Sequence, residues 1–163
     1  MIIRKANSAD IPVIRELAYK IWPGTYQAIL GAEQVGYMLD LLYSEKTLRK
    51  QMEQQVDFIV VSDNDIPVGF ASFSLSHTGI YKLHKIYVLE SQQGKGVGRM
   101  MIDYVKQHAI SAGAKFLQLN VNRHNNARQF YEKLGFVAIR EEDIDIGNGY
   151  FMNDYVMQLK LDD

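Results

Sequence analysis

The chain contains no cysteine among its 163 residues. Disulfides, thiolate zinc sites, iron–sulfur clusters and cysteine nucleophiles are therefore excluded. No uninterrupted apolar run approaches the roughly 18 residues of a membrane-spanning helix, and the start, MIIRKANSAD, has no apolar signal core. The expectation is a cytoplasmic protein with no membrane partner. Excess charge of one sign is also missing: the formal net charge is −1, with 47% hydrophobic and 23% charged residues. That composition is ordinary for a globular protein and excludes gross disorder. The length suits one domain over residues 1–163, able to bury a core without a metal or disulfide staple.

What charge there is lies unevenly. Residues 80–133 hold nine Lys/Arg against three Asp/Glu, and residues 140–163 hold two against seven. A neutral total with a basic middle argues against bulk nucleic-acid binding. It suits one polyanionic small molecule over the middle and a cationic one near the end. His77, His108 and His124 have no metal-ligand spacing, so no metal is expected.

Residues 2–6 are β-branched and predict a strand. Asn7 or Ser8 then caps a helix with Ile11, Ile14, Leu17, Ala18 and Ile21 at helical spacing, and Pro23-Gly24 is expected to end it. Residues 25–54 read as two or three short helices interrupted by Gly31 and Gly36, with Ser44 as a further cap. This apolar-aromatic region reads either as a layer covering a sheet or as a substrate lid. VDFIVVS and IPVGFASFSLS, joined by DND, predict a hairpin, and IYKLHKIYVL a further strand. A helix over 97–112 follows, with Val97, Met101, Tyr104, Val105 and His108 expected to face inward. Then come the strand KFLQLNV, a helix from Asn125 or Asn126 to Leu134, and two strands around Gly147-Asn148-Gly149. The last strand, YFMNDYVMQLKL, is expected at a sheet edge, where it could pair across a homodimer. This order implies an α/β fold, one mixed sheet of about seven strands with helices on both faces.

The informative stretch is QQGKGVGRMM, between a strand and a helix. Gly94, Gly96 and Gly98 let the backbone turn tightly and approach a ligand. At a helix N-terminus, convergent amides and the macrodipole favour an anion, and Lys95 and Arg99 add charge at the rim. The pattern fits a pyrophosphate cradle. It is not a P-loop: Gly98-Arg99 stands where Gly-Lys is needed, and no Ser or Thr follows. The spacing G-x-G-x-G after the fourth strand is also wrong for a dinucleotide-binding fingerprint.

Gln93-x-x-Gly96-x-Gly98, after KIYVL and before a long helix, resembles the acyl-CoA signature of the GCN-five-related N-acetyltransferases (GNAT). NNARQFYEKLGF, residues 125–136, resembles that family's second hallmark. The resemblance spans residues 2–161. It implies a sheet whose fourth and fifth strands splay, acetyl-CoA as co-substrate, and acetyl transfer to a primary amine by direct attack through a tetrahedral intermediate.

The resemblance also implies site residues. Ile86, Tyr87 and Val88 match the strand that pairs with the pantetheine arm. Gln93, Gly94, Lys95, Gly96, Val97, Gly98 and Arg99 match the pyrophosphate cradle. Asn125 and Asn126 match an asparagine that meets the coenzyme arm, and Lys133 a contact to the ribose phosphate. Tyr131 matches the tyrosine near the coenzyme sulfur, and a phenol of pKa about 10 is suited to protonating a leaving thiolate. The strand glutamate that some members use as base is replaced by Lys82. Leu83-His84-Lys85-Ile86 resembles the Leu-His strand of aralkylamine acetyltransferases, which makes His84 a candidate base beside ordered water.

The ending GYFMNDYVMQLKL and the acidic EEDID resemble bacterial polyamine N-acetyltransferases. A small cationic amine is therefore the expected acceptor, with Trp22, Tyr26, Tyr150 and Asp154 as candidate contacts. Acetylation of a peptide or amino-acid amine, and a non-catalytic acyl-CoA sensor, are the alternatives.

Overall fold

A computed structural model describes residues 1–161 of the chain. The strands are β1 (Ile2–Lys5), β2 (Asp57–Asp63), β3 (Ile66–His77), β4 (Ile80–Val88), β5 (Phe116–Asn122), β6 (Val137–Gly147) and β7 (Tyr150–Lys160). The helices are α1 (Ile11–Leu30), α2 (Ala32–Leu42), α3 (Glu45–Glu53), α4 (Val97–Ser111) and α5 (Ala127–Lys133). The strands hydrogen-bond in the order β1-β2-β3-β4-β5-β7-β6, the mixed α/β sheet expected. β3, β4 and α4 each divide between two compact units: one is Met1–Ser74 with His84–Val105, the other Leu75–Leu83 with the residues from Lys106 onward.

In the first unit, β1-β2 and β2-β3 pair antiparallel. Asn64 and Asp65, both at positive φ (49° and 67°), make the tight β2-β3 turn, which short polar side chains tolerate. Asn7 and Asp10 form a capping box ahead of α1, and Arg4 holds the Asp10 carboxylate with hydrogen bonds of 2.7 and 2.9 Å. The sequence expectation fails at Pro23. The helix continues to Leu30 and ends at Gly31, whose φ of +84° suits glycine. An interior proline costs about 3 kcal/mol. The buried face that leads up to it offsets that cost, since Leu17, Ala18, Ile21 and Trp22 are all buried. Gly36 likewise lies inside α2 rather than ending a helix.

The buried stripe of α4 is Val97, Met101, Ile102, Val105 and Ala109. Tyr104 and His108, expected inward, are exposed and lean their rings on Phe73 (6.4 Å) and Tyr81 (5.8 Å). A stripe at i, i+4 drifts slowly around the helix, which favours positions 102 and 109 over 104 and 108.

In the second unit, residues 80–83 of β4 pair parallel with residues 116–119 of β5. β7 is antiparallel to both β5 and β6. The last strand is thus internal, and β6 forms the edge, contrary to expectation. Both faces of β7 pack, with Asp154, Val156, Met157 and Leu159 buried. Among the described residues no helix is long and apolar enough to cross a membrane.

Candidate functional site

In the first unit, β4 runs into a short 3-10 turn at Glu90–Gln92 and then the glycine loop. Gly94 and Gly96 have φ of +79° and +82°, a region that L side chains avoid. A Cβ built on either meets nothing within 4 Å, so each faces open space. The first bond of α4 runs from Met100 N to Gly96 O, at 3.0 Å. The amides of Val97, Gly98 and Arg99 lie in the first helical turn and have no acceptor within the helix. They are available to an anion together with the helix dipole. Lys95 and Arg99 are exposed at the rim, while the Val97 side chain anchors the turn in the core at 2% exposure. The Gln93 side chain donates to Val88 O at 3.4 Å, tying the loop back to β4. A diphosphate fits this cradle: donors, positive charge and empty Cβ space coincide.

Before the loop, Tyr87 joins an aromatic cluster. Trp22 lies 4.6 Å from Tyr26, 5.5 Å from Tyr43 and 5.7 Å from Tyr87, measured between ring centroids. The Trp22 Nε1–H donates to Tyr43 Oη at 3.2 Å. Tyr26 and Tyr87 hydroxyls are 2.9 Å apart. Phe70 closes the cluster against Tyr43 and Tyr87. Burial pushes the Tyr43 phenol well above its ordinary range, so it remains a neutral donor and acceptor. The candidate acceptor residues Trp22 and Tyr26 thus meet the candidate coenzyme strand at Tyr87. His84 is exposed, with Nε2 2.7 Å from Ser74 Oγ.

Lys85 was not singled out by the sequence reading. Its Nζ lies over the Tyr43 ring (5.4 Å) and the Phe58 ring (5.8 Å) and donates to Gln51 Oε1 at 3.2 Å. Burial lowers its pKa to about 8. The available signal was short-range alternation: Lys85 lies two residues before Tyr87, whose ring packs on Trp22 and Phe70.

In the second unit, Tyr131 on α5 is 8% exposed, held between Phe130 (5.4 Å) and Phe136 (5.8 Å). The Asn125 side chain accepts from Ala127 N at 2.9 Å and caps α5, whereas Asn126 makes no side-chain cap. Asn126 and Lys133 are exposed. Asp154 is 3% exposed and accepts from Asn120 Nδ2 at 3.2 Å, and Asn120 Oδ1 accepts from Lys82 Nζ. Burial raises the Asp154 pKa, opposed by the Asn120 hydrogen bond, and burial lowers that of Lys82. Tyr150, at the start of β7, is half-buried. Among the described residues no three His, Asp or Glu side chains gather as a metal group.

Residues 30–159 match the acetyltransferase (GNAT) domain family. The N-acetyltransferase YhfO of Bacillus subtilis is 32% identical over 150 residues, covering 88% of this chain and 91% of that protein. The L-amino acid N-acyltransferase MnaT of Escherichia coli is 28% identical, covering 64% of each. The crystal structure of PaiA N-acetyltransferase from Thermoplasma acidophilum, in complex with coenzyme A, superposes with a TM-score of 0.84 at 22% identity. That match covers 98% of both chains.

Proposed function

The chain belongs to the GNAT acetyltransferases and is an acetyl-CoA-dependent N-acetyltransferase; from that premise we propose that residues 93–99 hold the coenzyme and that the acceptor is the primary amine of a small molecule. The observation that carries the coenzyme site is the pair of left-handed glycines, Gly94 and Gly96, open to ligand at the start of α4. The coenzyme supplies the activated acetyl thioester. The amides of the first turn of α4 bind its pyrophosphate, and Lys95 and Arg99 neutralise that charge. Ile86, Tyr87 and Val88 offer strand backbone to the pantetheine amides. Asn125, Asn126 and Lys133 add polar contacts to the coenzyme.

Two side chains handle protons. Tyr131 gives its hydroxyl proton to the departing sulfur, a role supported by the motif around it and by the ring contacts that fix it. His84 takes a proton from the acceptor ammonium, directly or through water, and Ser74 Oγ orients its ring.

A polyamine acceptor is supported by the acidic balance of residues 140–163. Tyr150 and Asp154 are its candidate contacts there. Several of those carboxylates already have partners. Asp143 pairs with Arg123 at 2.6 Å, Glu142 with Arg140 at 2.9 Å, and Asp154 accepts from Asn120. An amino-acid acceptor is the second reading, favoured by the position of Lys85.

Incubation with acetyl-CoA, a panel of amines and a thiol reagent tests the assignment. Coenzyme release that requires an added amine supports it. Release at the same rate without an amine, or none with any amine, overturns it. At low salt, spermidine reacting no better than a neutral-tailed amine removes the polyamine reading alone.

A further inference from the structure

Lys85 is a half-buried cation with no opposite charge beside it. The paired Arg4, Lys5, Lys20, Arg49, Arg123, Arg128 and Arg140 each meet a carboxylate. Lys85 meets the amide oxygen of Gln51 and the faces of Tyr43 and Phe58, and among the described residues no carboxylate pairs with it. Taking an ammonium out of water is costly unless charge and hydrogen bonds replace its hydration. Cation–π contact with two rings replaces part of it.

One polar group beside Lys85 does lack a partner. The Ser72 hydroxyl is fully buried and makes no hydrogen bond in the structure. Leu89 N bonds to Val68 O, and the Phe70 and Tyr87 rings meet at 5.7 Å. Ser72 is the cross-strand partner of Phe58 on β2, and Lys85 Nζ lies over the Phe58 ring, so Ser72 and Lys85 share a neighbourhood on the face that carries Phe70 and Tyr87. That face is the aromatic cluster of Trp22, Tyr26 and Tyr43.

We propose that the Lys85 ammonium receives a carboxylate of the acceptor, so that the molecule acetylated is an amino acid or a closely similar amino carboxylate. The inference rests on the reading that this cluster lines the acceptor site. The coenzyme does not supply the missing charge. Its phosphates have their own donors at residues 93–99, and its pantetheine arm is uncharged. An anion at Lys85 would therefore come from the second substrate. The surrounding rings suit an apolar or aromatic side chain on that substrate, and a second ammonium near Lys85 would be repelled.

The test compares each amino acid with its own decarboxylated amine: L-phenylalanine with phenethylamine, L-lysine with cadaverine, and spermidine besides. Two quantities are read on the full chain, wild type and Lys85→Met. The first is kcat/KM with acetyl-CoA, and the second is the thermal shift that each compound gives with coenzyme A present. The amino acid is expected to exceed its amine in kcat/KM by about 10- to 100-fold, the worth of a charged hydrogen bond. Lys85→Met should collapse that ratio through KM rather than kcat, and Lys85→Arg should keep most of it. The thermal shift by L-phenylalanine should vanish in Lys85→Met and persist in Lys85→Arg.

A wild-type enzyme that prefers the amines, or a ratio unmoved by Lys85→Met, overturns the subsite. The thermal shift separates this failure from the other. If no compound is acetylated but the Lys85-dependent shift by the amino acid remains, the subsite stands and the small-amine reading fails. If amines are acetylated and the shift is absent or independent of Lys85, the subsite fails and the small-amine reading stands.

Discussion

The Tyr26 hydroxyl on α1 lies 2.9 Å from the Tyr87 hydroxyl on β4. This contact fastens a helix of the aromatic layer to the strand that precedes the glycine loop, with Trp22 packed against both rings. On the proposed function it bears on the acceptor rather than on the coenzyme, which Tyr87 would meet through its backbone. Tyr26→Phe should keep the fold, lose about 1 kcal/mol of stability, and lower kcat/KM for the acceptor. The affinity for acetyl-CoA should not change. Melting curves, acceptor kinetics and coenzyme titration check the three parts. An unchanged acceptor kcat/KM would make the contact a packing feature only.

Tyr131→Phe removes one hydroxyl and leaves the ring between Phe130 and Phe136. Turnover should fall by about 10²- to 10⁴-fold, the usual contribution of a general acid, with acetyl-CoA affinity nearly constant. Single-turnover rates read this directly. A wild-type chemical step in the variant would assign Tyr131 to packing.

The parts of the site that sequence made legible are local. The glycine loop could be read because positive φ at Gly94 and Gly96 is a backbone demand that a single residue type meets. The hairpin turn and the Ser44 cap carry similar short-range signals, and Ser44 does accept from Thr47 N. Three features lay beyond such signals. Pro23 sits inside α1 because tertiary burial of Ile21 and Trp22 outweighs a local helix breaker. β7 is internal because it inserts between β5 and β6, a pairing that chain order does not encode. The Lys82–Asn120–Asp154 chain joins residues 38 and 34 apart in sequence, so nothing local announces it. Lys85 lay in between: its spacing from Tyr87 pointed to the apolar face, but β4 does not alternate regularly, with Tyr81 on α4 and Tyr87 on α1, and a lysine in a charged-looking strand reads as solvated.

Lys85 also gives the protein a pH signature. Burial lowers its pKa to about 8 from the ordinary 10.5. The folded state therefore disfavours the charged form, at about 3 kcal/mol below pH 8. Between pH 8 and about 10.5 the unfolded chain still binds this proton while the folded protein has lost it, so stability from this group rises with pH. Lys85→Met should be more stable than wild type at pH 7, and the advantage should shrink through that window. Denaturant unfolding of both proteins from pH 6 to 10.5 measures the difference and cancels the tyrosines and the other lysines. A constant difference across the range would mean that Lys85 is not buried in its charged form.

Calorimetric titration of acetyl-CoA into wild type and Gly96→Glu tests the coenzyme site most directly. A Cβ at Gly96 enters open space, so the glutamate side chain would occupy the place of the pyrophosphate and oppose its charge. The left-handed φ of +82° adds about 1–2 kcal/mol of backbone strain, so a melting curve accompanies the titration to establish that the variant is folded. Wild type should bind acetyl-CoA with one saturable site per chain, and folded Gly96→Glu should show no binding heat. Equal affinity in the two proteins would contradict the assignment of residues 93–99 as the coenzyme cradle.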